Sequence, residues 1–256
     1  MANKIKIKIC GQNNPAIINH CLDLNISYQG LIFYEKSPRF IDTETLALVN
    51  QYFKTHKDKF VGVFVNPSID EIKKSKCKLF LDLKLHDIPN TVSCAIDSLS
   101  KINPDFLTLH ISGGNEMVKA AVNSIKKNKL KTKILGVTLL TSLDEKDSEK
   151  IYKERNTQKL VKKFTEIANN VNIHGLICSG DDLKVLRKFN KFIKITPGVK
   201  MFSRNDDQKR VTFAHNALQD GASFVVIGRE LIESKKPLDL LKEYGEQNKN
   251  KNLWTK

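Results

Sequence analysis

The chain has 256 residues, 40% apolar and 28% charged, with a mean hydropathy of −0.34. That is enough apolar chain for one large domain or two small ones, and no stretch approaches the roughly 20 uninterrupted apolar residues of a membrane span. Lys and Arg number 43 against 28 Asp and Glu, a formal charge of +15. Such an excess can serve a nucleic-acid partner. Here the lysines are scattered over helix-like segments (73–76, 126–133 and the C-terminus), with no arginine-rich arm and no aromatic-laced motif. The reading is a solvated basic surface that favours a small anionic ligand, with neither nucleic acid nor membrane as partner.

From the N-terminus, MANKIKIKICG alternates Lys and Ile at period two, the pattern of a strand and not of a signal peptide. Cys10, Cys21, Cys77, Cys94 and Cys178 are odd in number and set in apolar runs, which predicts reduced core thiols in a cytoplasmic protein and no cysteine metal site. Short apolar runs recur at Ile5–Cys10, Gly30–Tyr34, Phe60–Val65, Leu79–Lys84, Phe106–Ile111, Ile134–Leu140, Gly175–Cys178, Phe192–Ile195 and Phe224–Ile227. Segments of helical period lie between them, among them Pro15–Leu24, Asp42–Phe53, Thr91–Ile102, Met117–Lys127, Gln158–Val171 and Gln208–Leu218. Near-continuous apolar strands alternating with amphipathic helices predict parallel strands buried on both faces. At this length the pattern favours a (β/α)8 TIM barrel. Neither GxGxxG nor GxxxxGK[ST] occurs, which argues against dinucleotide and P-loop folds. No Pro/Ser-rich linker interrupts the chain, so residues 1–256 are expected to form a single domain. Nine candidate strands are one too many for an eight-stranded ring. An extra N-terminal β/α unit is therefore expected, with Ile5–Cys10 or Gly30–Tyr34 left outside the barrel.

The sharpest chemical feature is the string FLDLKLHDIPNT, residues 80–91. Strict alternation puts Asp82 and Lys84 on one face of a strand and Leu81, Leu83 and Leu85 on the other. Ionised groups on a strand covered on both faces cost several kcal/mol each unless paired. Asp82, Lys84 and then Asp87 at the C-terminal exit, where barrel active sites lie, are therefore candidate catalytic groups. Their alternative is a structural ion pair capping the strand. Near the other end of the chain, Gly228-Arg229 follows an apolar run and precedes a helical segment, a natural anion site.

The string DLKLHDIPNT resembles the signature of orotidine 5′-phosphate decarboxylases, and the resemblance continues in order downstream. It takes in His110-Ile111-Ser112-Gly113-Gly114, Gly136–Ser142 (GVTLLTS), Gly175–Ser179 (GLICS), Thr196-Pro197-Gly198-Val199, Asp206–Arg210 (DDQKR) and Val226–Arg229 (VIGR). It covers roughly residues 75–245. The resemblance implies a carboxy-lyase of pyrimidine (UMP) biosynthesis that needs no cofactor or metal. Asp82 would face the substrate carboxylate, while Lys84 would stabilise and then protonate the carbanion. Asp87 would reach into the partner's site in a homodimer with shared active sites. Thr91 would lie near the ribose, Thr141 near the pyrimidine, and Lys200, Gln208, Gly228 and Arg229 at the phosphate.

Two departures stand out. Lys200 replaces the arginine of the family's TPGIR, losing a bidentate fork. The strand before DLK reads FVGVFVN, residues 60–66, with none of the family's first catalytic lysine; Lys59 sits at its other end. Lys36, Lys57 and Lys59 are the lysines considered as substitutes. Residues 1–70 instead resemble the opening of phosphoribosylanthranilate isomerases, through KICG (8–11), GLIFYEKSPRFI (30–41) and VGVFVN (61–66). That resemblance implies Cys10 as a general base and Arg39 as a carboxylate ligand, although the isomerase's acid and its glycine-rich strands are not found downstream. The chain is thus read as an isomerase-like segment (1–70), a decarboxylase-like segment (75–245) and a flexible basic tail (246–256). Decarboxylation of orotidine 5′-phosphate is the leading expectation. Isomerase chemistry and an impaired phosphoribosyl-ligand binder are the alternatives.

Overall fold

A computed structural model describes residues 5–65, 67–75, 77–201 and 212–250. Among these residues the strands are β1 (Ile5–Cys10), β2 (Ile26–Ile32), β3 (Phe60–Val63), β4 (Lys78–Leu85), β5 (Phe106–His110), β6 (Lys133–Val137), β7 (Gly175–Ile177), β8 (Ile193–Pro197) and β9 (Phe224–Ile227). The helices are α1 (Pro15–Asp23), α2 (Thr43–His56), α3 (Ile69–Ser75), α4 (Pro89–Ser98), α5 (Gly114–Lys127), α6 (Glu145–Tyr152), α7 (Thr157–Val171), α8 (Leu183–Leu186), α9 (Ala214–Gln219), α10 (Arg229–Ile232) and α11 (Pro237–Asn250). The strands follow chain order around a closed, all-parallel barrel in which β1 pairs with both β2 and β9. The parallel α/β barrel class expected from the sequence is the one found. The ring takes in the extra unit, however. Neither β1 nor β2 is left out, and the expected displacement of one strand does not occur.

The chain divides into two compact units. The first holds residues 1–79, 198–219 and 224–256, and the second holds 80–197 and 220–223. In the first unit Ile7 and Ile9 are buried while Lys8 alternates with them, as period two requires. Its core gathers Ile18, Leu31, Ile41, Val49 and Phe60, each worth about 1.5–3 kcal/mol of transfer free energy when fully buried. Strand β2 begins four residues before the apolar run read from the sequence. Two buried polar residues, Ser27 and Gln29, hide the strand's start. Gln29 is accommodated by accepting from Gln12 Nε2 (3.2 Å) and donating to the Ile18 carbonyl (3.3 Å), as a buried amide must be.

In the second unit, α5 and α7 bury Met117, Val118, Ala121, Leu160, Val161 and Phe164, and the strands bury Leu107, Leu109, Ile134, Leu135 and Leu176. Asp97 on α4 ties that helix to α5 by accepting from Ser124 Oγ, Asn128 Nδ2 (2.6 Å) and Lys127 Nζ (3.3 Å). These donors hold its carboxyl below the usual range, the Ser124 hydroxyl most of all. No helix among the described residues is long and apolar enough to cross a membrane. The basic tail expected from residue 246 runs as part of α11 to Asn250, and its remainder lies outside the described residues.

Gly175 on β7 has no room for a side chain. A Cβ there would lie 2.4 Å from the Ile193 carbonyl oxygen and 2.8 Å from Leu135 Cδ2. Gly175→Ala is expected to destabilise the protein by about 1–3 kcal/mol, read as a lowered midpoint in urea unfolding.

Candidate active site

Two constellations of chemically active side chains form, one in each unit. In the second unit, β4 leaves its register with β5 after Leu81. Leu81 pairs Leu107, but the next partners are Leu85 and Leu109, so three β4 residues face the single residue Thr108. This bulge ends the strict alternation read from the sequence. Lys84 takes a left-handed backbone, φ +48°, and Leu83 turns outward to 51% exposure instead of packing with Leu81 and Leu85. Asp82 and Lys84 nevertheless meet. Lys84 Nζ donates to Asp82 Oδ2 at 2.5 Å, and Thr108 Oγ1 donates to Asp82 Oδ1 at 2.8 Å. The pair is open to solvent, with side-chain exposures of 39% for Lys84 and 53% for Asp82.

Asp87 stands in the exit loop and accepts from the backbone N–H of Ile88 at 2.7 Å. Pro89 then opens α4 at a position where a missing N–H costs nothing, and Thr91 lies exposed in its first turn. Thr141 is exposed in the loop after β6. His110, at the end of β5, lies 5.3 Å from the His86 ring, centroid to centroid. Burial, then the neighbouring His86 and Lys84, push its imidazole below the usual histidine range.

In the first unit a cavity of about 750 Å³ is lined by Cys10, Arg39, Lys200, Gly228 and Arg229, together with Glu230 and Glu233. Glu230 is engaged, accepting from the Met201 N–H at 2.6 Å. Gly228 precedes α10, a helix of only four residues, so positive charge at this wall comes from the side chains of Arg229, Arg39 and Lys200 and not from a long helix dipole. Arg39 is aimed by its surroundings. Its Nη1 donates to the Cys10 carbonyl at 3.5 Å, and its Cδ lies 2.7 Å from where a Cβ on Gly11 would stand. Gly11 has φ +93°, so both its backbone and its missing side chain leave space for the guanidinium.

Sequence reasoning missed two participants. Lys8 Nζ donates to Cys10 Sγ at 3.1 Å, above Gly30, whose absent Cβ would lie 3.0 Å from both atoms. The period-two pattern already put Lys8 and Cys10 on one face, but the lysine was read only as part of a strand signal. Thr108 carried no motif at all. Of the substitute lysines, Lys59 is spoken for at the wrong end of β3, donating to Asn25 Oδ1 (2.6 Å) and the Ile26 carbonyl (3.2 Å). Lys36 and Lys57 are exposed. Gln208 lies outside the described residues. Cys21, Cys77 and Cys178 are core thiols pushed up to about 12 by burial; Cys94, expected to join them, is exposed on α4.

Residues 43–244 match the model of the orotidine 5′-phosphate decarboxylase / HUMPS family. The chain belongs to that family. It is 39% identical over 208 residues to the orotidine 5′-phosphate decarboxylase of Wolbachia sp. subsp. Brugia malayi (strain TRS), covering 77% of this chain and 92% of that one. Against the enzyme of Staphylococcus aureus (strain Mu3 / ATCC 700698) the identity is 36% over 214 residues, covering 78% and 92%. The crystal structure of the decarboxylase from Lactobacillus acidophilus superposes with a TM-score of 0.60 at 23% identity, covering 96% and 98% of the two chains, a likeness of fold. The family match takes in residues 43–70 as well, so that part of the segment expected to be isomerase-like falls within the decarboxylase family.

The depressed value at His110 sets a pH dependence. A histidine held neutral in the folded state adds stability above its ordinary value near 6.5, and that contribution is lost as pH falls through the lower folded value. Between pH 8 and 5 the thermal midpoint of the unaltered protein should fall more steeply than that of His110→Gln.

Proposed function

We propose that this chain decarboxylates orotidine 5′-phosphate to uridine 5′-phosphate, with Asp82 and Lys84 as the reacting pair. The observation that carries the residue assignment is the ion pair itself, a carboxylate and an ammonium joined on the strand that bears the family's most specific string. Asp82 places negative charge against the substrate carboxylate. The bond from the ring carbon to that carboxylate breaks, CO2 leaves, and the electron pair stays on the ring carbon. The Lys84 ammonium stabilises that charge and delivers its proton there. Arg229 and the Gly228 turn, with Lys200, hold the phosphate. Thr141 serves the pyrimidine, Thr91 the ribose, and Gln208 the phosphate.

We further infer a homodimer in which Asp87 serves the partner's site. In the second unit Leu83 and Ile88 (66% exposed) are large apolar side chains left open to water, and in sequence they bracket the loop that carries Asp87. Cys21 and Cys178 are buried and Cys77 is half-buried, all three with thiols pushed up by desolvation, which supports a reducing, cytoplasmic setting.

A second reading, isomerisation of phosphoribosylanthranilate, is favoured by one observation. Cys10 and Arg39 line the same cavity, and Lys8 donates to the Cys10 sulfur. It would use Cys10 as base and Arg39 as carboxylate ligand.

Loss of orotidine 5′-phosphate absorbance tests the leading reading. Lys84→Ala should lower kcat by about 10²–10⁴-fold, while Arg229→Ala should mainly raise KM, by about 10–100-fold. Full turnover in Lys84→Ala would refute the assignment. Isomerase turnover that disappears in Cys10→Ala would establish the second reading. Sedimentation should give the mass of two chains for the unaltered protein and one for Ile88→Asp; a single-chain mass for both would exclude the dimer.

A further inference from the structure

We propose that Thr108 is a positioning residue for the decarboxylation: its buried hydroxyl fixes the Lys84 main chain and the Asp82 carboxylate together, so that ammonium and carboxylate are presented as one pair. The proposal rests on the assignment of Asp82 and Lys84 above. Thr108 lies in the middle of β5 and is fully buried, so its hydroxyl acts through its neighbours. A threonine hydroxyl has one hydrogen to give and lone pairs to accept with, and both capacities are in use. It donates to Asp82 Oδ1 at 2.8 Å and accepts from the Lys84 backbone N–H at 2.9 Å.

These two bonds close a triangle whose third side is the bond from Lys84 Nζ to Asp82 Oδ2. Each corner needs the others. Lys84 holds a left-handed backbone, φ +48°, which a residue with a Cβ adopts only where its surroundings fix it. The register break puts Thr108 opposite all three residues from Asp82 to Lys84, so its hydroxyl meets the N–H that the bulge turns out of line. Asp82 is half exposed and would sample other rotamers freely. The hydroxyl beneath pins one oxygen, leaving the other on the ammonium. The β-branch limits χ1 at Thr108 itself, so the anchor is stiff. Reacting groups that must sit within a fraction of an ångström of the bond they act on lose rate steeply when loosened.

The test is Thr108→Val, which keeps the branched shape and removes the hydroxyl, against Thr108→Ser, which keeps the hydroxyl. With orotidine 5′-phosphate, Thr108→Val should lose about 10–100-fold in kcat, the weight of one hydrogen bond to a charged group. KM and the dissociation constant of uridine 5′-phosphate should stay within about twofold, since no ligand contact is lost. Thr108→Ser should keep kcat within about fivefold. If Lys84→Ala is inactive and Thr108→Val turns over normally, the proposal is overturned and the catalytic pair stands. If Lys84→Ala is active, the pair itself is wrong. Serine as damaging as valine would show that only the shape of the site matters, again overturning the role of the hydroxyl. Should the valine chain not fold, Thr108→Ala replaces it, and equal kcat in the alanine and serine chains overturns the proposal.

Discussion

An ammonium carried on a barrel strand must find a partner, keep its water or bear the cost of losing it, and that constraint shapes this molecule's chemistry. Three strands meet it differently. On β4 the answer is local distortion: the ladder slips, a lysine accepts an unfavourable backbone angle, and a buried hydroxyl stitches the result together. On β1 it is space, because Gly30 on the adjoining strand leaves a hollow in which the Lys8 amine reaches the Cys10 sulfur. On β8 Lys194 is almost wholly buried, and desolvation lowers its ammonium below the usual lysine range. Only the first of these joins opposite full charges.

The fold was legible because period and apolarity are properties of the strands themselves. The class of barrel and the alternation of Ile7 and Ile9 with Lys8 could both be read from residue order. What escaped depended on partners distant in sequence. The start of β2 was hidden because the buried amide of Gln29 is made affordable only by Gln12 and the Ile18 carbonyl. The slip in β4 was invisible because it is a relation between two strands, and alternation within one strand predicted the wrong side for Leu83. Thr108 is an ordinary β-former in an ordinary strand; its role exists only relative to residues more than twenty positions earlier.

The N-terminal third shows the limit of motif reading from the other direction. Its KICG and KSPR strings raise an isomerase expectation, yet the decarboxylase family match already takes in residues 43–70. Physically the two need not conflict. A strand that ends in a small residue and a loop that brings an arginine across it suit any phosphorylated ligand, and here Gly11 clears the path for Arg39 whatever that ligand is. Strand β3 itself carries no lysine, and Lys59, just before it, donates to Asn25 and the Ile26 carbonyl.

The closed ring described above counts nine strands among the described residues, and that number is odd. In an eight-membered ring, inward side chains stack in tiers supplied alternately by even and odd strands. Alternation of two kinds around an odd circle cannot return to its starting point without a repeat. The strict two-tier alternation of the eight-stranded ring is therefore not available to a ring of nine.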